Sequence, residues 1–290
     1  MVKDEKDWPL VAFTALSPIA IGGLAGLVAV RENPRIGVDW SGMAVLGIAL
    51  LALFASSLHL GRPLRAYRAM ARVSTSWLSR EVVLFGIFVL LLAAYAVPIH
   101  AGGWDESRGL LGVLASVVGG LSLWATGEVY RLPSRPAWNH WRTIASLILG
   151  ALGPGLLFGF FVGRLWGHDG GENVSAAITA LAAVALLFGA AITCFRCRRP
   201  EPGKVEEFAA WQVVIGPGRW MFVLRIAGAL CTLGFLLAPG SLSTVAWVPA
   251  AIGEIADRAL FFRAVVPVSM VRRAGILPVE PVKPGRALTR

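Results

Sequence analysis

The chain is short of charge. Lys, Arg, Asp and Glu make up 15% of its 290 residues, against about 25% in a soluble globular domain. That is too little polar surface to cover a core in water. It is also short of cysteine. Three cysteines form no disulfide framework, and Cys194 and Cys197 make a lone C-x-x-C that reads as two free thiols. There is no four-cysteine cluster, no glycine-rich phosphate loop, no C-x-x-C-H and no H-E-x-x-H. The chain therefore lacks the residues to hold an iron–sulfur cluster or a molybdenum cofactor, to attach haem covalently or to run zinc hydrolysis. Only four histidines are present. His59, His100, His140 and His168 lie at the ends of apolar runs or between them, not facing one another inside the runs, so neither haem nor a bound metal is expected.

What is abundant is apolar sequence, 56% of the chain, gathered into long runs. A helix crosses the hydrocarbon layer with about 20 apolar residues. Eight runs approach that length: 9–30, 41–60, 82–99, 109–129, 141–162, 174–195, 219–238 and 242–264. They predict an all-α integral membrane protein, a bundle of eight transmembrane helices forming one domain over residues 1–270. Barrel strands would be shorter and would alternate. The first run is too long for a signal-peptide core and no clear cleavage site follows it, so it is read as retained. Residues 271–290, with Pro278, Pro281 and Pro284, are read as a polar, irregular tail on the membrane surface.

The 27 Lys and Arg are unevenly shared. With eight spans, the N-terminus, three of the loops and the tail lie on one face and carry 21 of them. The other face carries Arg31, Arg35, Arg108 and Arg164, while Arg225 and Arg258 fall inside spans. An excess of positive charge marks the cytoplasmic side. Both termini and the 59–81 loop are thus expected to be cytoplasmic, in the inner membrane. The positive charge is read as a mark of orientation and docking, and no nucleic-acid partner is expected. Ser17-Pro18 and Gly153-Pro154-Gly155 interrupt helical hydrogen bonding inside spans, which suits helices packed against neighbours. Gly119, Gly120 and Gly127 permit close helix approach.

Chemistry is concentrated between the second and third runs. His59 ends the second span ahead of a Gly61/Pro63 helix stop. Its imidazole titrates near neutrality, so it suits hydrogen bonding to a quinone carbonyl and proton exchange; the plainer reading is a helix C-terminal cap. Arg65, Arg68, Arg72 and Arg80 read either as a solvated positive loop or as a docking surface for an acidic subunit, with Arg65 near enough to polarise a carbonyl. Glu81 either complements the dipole of the third helix or takes a proton beside His59. On the same face, Tyr130 is an aromatic-belt residue or a hydrogen-bond donor to a ring carbonyl, with Arg131 and Trp138 lining the same region. Glu254 and Arg258, four apart, share a helix face and can pair. Buried charges in a span are costly, and these two serve either a proton path or a structural ion pair, with Arg225 as a third member.

Several motifs resemble one family. Asp7-Trp8-Pro9-Leu10-Val11-Ala12-Phe13-Thr14 is similar to the opening of membrane anchor subunits of the dimethyl sulfoxide reductase type. Leu58 to Ala66 resembles that family's L-H-L-G-x-P-x-R-A signature, and Leu78-Ser79-Arg80-Glu81 its L-S-x-E continuation. Gly153-Pro154 and Glu254-Ile255-Ala256-Asp257-Arg258 also match, so the resemblance covers nearly the whole sequence. It implies eight spans and a non-covalently bound quinone, menaquinone or ubiquinone, held without haem at His59, Gly61, Arg65 and Glu81. Tyr130 transfers from the wider group of quinone-binding anchors. It implies further a four-cluster iron–sulfur subunit on the 59–81 loop and a molybdopterin catalytic subunit beyond it, which alone hold the clusters and the molybdenum. The chain would then be a non-catalytic subunit that carries the quinone redox site of an anaerobic-type respiratory complex. The reductase that names the family has its catalytic subunits outside the cytoplasm. A cytoplasmic signature loop would instead be similar to complexes that oxidise an organic substrate and reduce quinone. A structural tether without its own quinone site, and a small-molecule transporter, are the alternatives. Against transport, the spans contain few polar groups that could form a midplane site.

Overall fold

A backbone in hydrocarbon must satisfy its own hydrogen bonds, and a helix does so within one segment. The computed structural model follows that rule: helix is the regular structure throughout, with no strand among the described residues. Those residues are 7–30, 40–58, 63–96, 105–168, 170–196, 198–199, 205–238 and 241–265. His59, Gly61 and the 271–290 tail lie outside them.

The elements are α1 (Trp8–Val30), α2 (Ser41–Leu58), a 3-10 helix (Pro63–Arg72), α3 (Trp77–Ala96), α4 (Asp105–Tyr130), α5 (Trp141–Gly150), a π-helical turn (Ala151–Gly155), α6 (Leu156–Leu165), α7 (Gly171–Arg196), α8 (Val205–Ile215), α9 (Arg219–Leu237), a second 3-10 turn (Ser241–Val245) and α10 (Trp247–Arg263). Seven helices are long and apolar enough to cross a membrane, with α5, the π turn and α6 counting as one of them over Trp141–Leu165. The chain is an all-α membrane protein. The eighth expected span divides instead into the 3-10 turn and α10, which has 17 residues and contains Glu254, Asp257, Arg258 and Arg263. Its charge and length set it apart from the other seven, although it packs against α9 and α1.

Three boundaries depart from the sequence reading for local reasons. α3 starts five residues early because Ser76 caps it, its Oγ accepting from the Ser79 N–H at 3.4 Å. Arg80 then ties down the preceding turn, donating to the Val73 and Ser74 carbonyls at 2.9 and 2.7 Å. The polar Ser79-Arg80-Glu81 is therefore helical. The fifth span widens at Pro154, which has no N–H to donate; the Leu156 N–H reaches back five residues to the Ala151 carbonyl. α8 has no counterpart among the apolar runs. At 11 residues it is too short to cross, and it packs on α9 and α10.

α1 is the most enclosed of the seven apolar helices. It packs against α2, α4, α6, the π turn and α10, and its Ile19, Ile21, Leu24 and Leu27 enter the main apolar core with Phe85, Phe88, Leu92 and Phe158. Close approach to the π turn requires glycine: a Cβ on Gly155 would stand 2.8 Å from the Gly22 Cα and 2.9 Å from the Pro18 carbonyl oxygen. Outward, α2, α4, α7 and α9 present exposed Leu, Val and Phe, as lipid-facing helices do.

Candidate functional site

One end of the bundle gathers the starts of α1, α3, α5 and α9 with the ends of α4, α7 and α10. Sequence-distant residues meet there. Glu81, one turn into α3, is 6% exposed. It accepts from Thr126 Oγ1, near the end of α4, at 2.9 Å. The same hydroxyl reaches the Ser122 carbonyl at 3.0 Å. A hydroxyl has one proton to donate and lone pairs to accept. With Glu81 ionised, Thr126 donates to it; with Glu81 protonated, Thr126 turns to Ser122 and accepts from the acid. The Thr126 hydroxyl can thus serve Glu81 Oε1 in either protonation state. Thr126 is not legible as a site residue in the sequence. A threonine inside an apolar run gives no hint of a partner 45 residues away.

Tyr130, a turn beyond Thr126, sits in an aromatic cage. Its ring meets Trp138, Phe261 and Phe262 edge-on at 5.2–5.5 Å. Leu10, Val11 and Met221 close the cluster from α1 and α9. Trp138 stacks on Phe261 at 5.0 Å and donates its indole N–H to the Phe261 carbonyl at 2.9 Å, which pins the 131–140 loop to the end of α10. Tyr130 lies within electrostatic reach of Glu81, Arg258 and Arg135. The structure does not bring Arg131 in: that guanidinium pairs with Glu128 at 2.8 Å and is exposed. Arg65 falls in the 3-10 helix ahead of α3.

Behind the cage lies a buried charge network. Arg258 donates from Nε to Glu254 Oε1 at 2.8 Å and from its Nη atoms to the Ser146 Oγ and carbonyl at 3.2 and 2.6 Å. Glu254 is fully buried and also accepts from Arg225 Nη1 at 3.4 Å. Asp257 accepts from Thr193 Oγ1 at 2.7 Å and from Arg196 at 3.1 Å. The Glu254–Arg258 pair and Arg225 as third member match the sequence reading. Ser146, Thr193 and Arg196 were not legible, because they come from α5 and α7. Glycines make the room: a Cβ on Gly150 would stand 2.6 Å from Glu254 Oε1, and one on Gly189 would overlap Arg225 Nη2.

His140 caps α5, its Nδ1 accepting from the Arg142 N–H at 3.3 Å. Partial burial, with the Arg142 charge beside it, holds its imidazole below the ordinary histidine range, while Glu207 opposes. Cys194 and Cys231 are free, and Cys197 lies outside the described residues. No group of metal-ligating side chains is found among the described residues.

A family model described as DMSO reductase anchor subunit (DmsC) matches residues 1–200. YnfH, an anaerobic dimethyl sulfoxide reductase chain of Escherichia coli (strain K12), is 27% identical over 239 residues, 78% of this chain and 82% of that protein. Another anaerobic dimethyl sulfoxide reductase chain of the same organism is 27% identical over 287 residues, 88% of this chain and 94% of its own length. A sulfite dehydrogenase subunit of Allochromatium vinosum is 39% identical over 90 residues, 31% of this chain and 27% of that protein.

Proposed function

This chain belongs to the DMSO reductase anchor subunit family, and from that premise we propose that it passes electrons between a membrane quinone and an iron–sulfur subunit docked on its 59–81 face. In this reading α10 counts as an eighth crossing, since its far end meets the start of α1 and the end of α4. With eight crossings, the 21 Lys and Arg assigned to that face support a cytoplasmic location for both termini. A molybdopterin catalytic subunit lies beyond the iron–sulfur subunit. The relatives' names include a reductase and a dehydrogenase, so the catalytic partner sets the direction of electron flow.

The observation that carries the proposal is the buried Glu81–Thr126 contact beside the Tyr130 cage. A quinone site needs apolar walls for the ring and a protonatable group at its edge, and these residues fit both needs. When bound, the quinone takes up or releases two electrons together with two protons. Glu81 holds one proton at its carboxyl group. Oε1 faces the Thr126 hydroxyl, which donates to the ionised carboxylate and accepts from the protonated acid. Tyr130 is a phenolic donor at the wall, and the cage keeps water from the ring. His59, Gly61 and Arg65 complete the set from the segment between α2 and α3, with His59 as the second proton-exchanging group.

The test uses the assembled complex in membranes. Glu81→Gln and His59→Ala are each expected to lower quinol-coupled turnover by about 100-fold or more, with assembly and dye-linked activity of the catalytic subunit unchanged. Thr126→Val should cost about 10-fold and Thr126→Ser should restore the rate, since one hydrogen bond is lost and regained. Full quinone-coupled turnover in Glu81→Gln would refute the assignment.

A further inference from the structure

The same end of the bundle has a second concavity. A pocket of about 490 Å³ opens between the 131–140 loop, the end of α7 and α8. That volume falls within the roughly 300–1,000 Å³ of small-molecule sites. Its walls carry four guanidinium groups, Arg142, Arg196, Arg198 and Arg199, against one carboxylate, Glu207. Asp257 pairs with Arg196 from below, at 3.1 Å. Arg142 lies over the Phe195 ring at 4.4 Å, within electrostatic reach of both Arg196 and Glu207. Arg198 and Arg199, past the last turn of α7, are exposed. Cations gathered at one mouth repel, and an anion among them relieves that repulsion.

The level of the pocket says which anion. Phe195 lines it and is also the last residue of an exposed stripe on α7, after Leu181, Val184 and Phe188. The spacing of three, four and seven puts all four on one helix face. An apolar stripe of that length on a membrane helix faces acyl chains. Trp141, 63% exposed at the start of α5, stands where interfacial aromatic residues sit. The pocket thus opens at headgroup depth, at the top of an acyl-chain track.

We propose that this pocket binds the phosphate of an anionic phospholipid, with the acyl chains lying along Leu181, Val184, Phe188 and Phe195. Arg198, Arg199 and Arg142 meet the phosphate oxygens, and Trp138 and Trp211 wall the glycerol. Basic pockets between membrane helices hold anionic headgroups in this way. Glu207 faces the hydroxyls of a glycerol headgroup.

Native mass spectrometry of the full-length protein in neutral detergent tests the site, with phosphatidylglycerol, phosphatidylcholine and inorganic phosphate as probes. The unaltered protein should retain one phosphatidylglycerol. The double variant Arg198→Gln/Arg199→Gln should bind it about 25-fold more weakly, at roughly 5-fold per arginine. Arg198→Lys/Arg199→Lys, which keeps the charge, and Arg164→Gln, at the other end of the bundle, should retain it. Equal retention by the glutamine variant and the unaltered protein would overturn the proposal. So would retention of phosphatidylcholine equal to that of phosphatidylglycerol. Displacement of the lipid by equimolar inorganic phosphate would reassign the pocket to a free anion and overturn the acyl-chain track.

Discussion

Removing the Arg258 side chain is the sharpest test of how the bundle is held. Arg258 is 1% exposed and Glu254 is fully buried. In Arg258→Leu, Glu254 keeps only Arg225 among the described residues, at 3.4 Å, and the Ser146 carbonyl loses the guanidinium that bonds it at 2.6 Å. Breaking a buried ion pair from one side costs about 3–5 kcal/mol, because a buried charge loses its main partner; here Arg225 at 3.4 Å is a longer, weaker substitute. At roughly 2 °C per kcal/mol for a chain of this size, the midpoint of thermal unfolding should fall by about 6–10 °C. The assay is fluorescence-detected size-exclusion chromatography of the purified protein in detergent after stepwise heating. The charge argument also has a sign. Each single variant loses the same Arg258–Glu254 pair, so Arg258→Leu with Glu254→Gln should be more stable than the two single losses added together, by about 1–3 kcal/mol, while both variants that lack Glu254 share the loss of the Arg225 contact. Strict additivity, or a fall below about 2 °C in Arg258→Leu, would refute the reasoning.

Gly150→Ala should lower the unfolding midpoint by about 2–6 °C, since overpacking costs about 1–3 kcal/mol and the new Cβ would stand 2.6 Å from Glu254 Oε1; Gly120→Ala, with open space around it, should leave the midpoint unchanged. A phosphatase reporter that is active only outside the cytoplasm, fused to the C-terminus, should be silent, and strong activity would reverse the orientation drawn from the basic face.

Much of the fold could be read from the length of the apolar runs alone. Runs such as 9–30 and 174–195 are helices because a backbone in lipid has no other partner than itself, and no tertiary contact is needed to reach that result. The reading failed where a local cap or a short apolar run competed. Ser76 drew Ser79-Arg80-Glu81 into α3. The 11 residues of α8 looked like loop because they are too few to cross. Polar residues split the eighth run into a 3-10 turn and the 17-residue α10.

The candidate site divides along the same line. Glu254 and Arg258 stand four apart, so helix geometry alone predicts their pairing, and it is present at 2.7 Å. Gly153-Pro154 likewise announces a break in hydrogen bonding wherever it occurs in a helix. The partners could not be read that way. Thr126 meets Glu81 because α3 and α4 pack side by side. Ser146 meets Arg258, and Thr193 meets Asp257, across 112 and 64 residues of sequence. Tyr130 reads in sequence as either an interfacial aromatic or a hydrogen-bond donor, and only the fold of the 131–140 loop onto α10 encloses it with Trp138, Phe261 and Phe262. Sequence by itself determined what each helix is, because apolar length and residue spacing act within one segment. Tertiary structure decided which polar groups meet, because a hydrogen bond depends on positions that only helix packing sets.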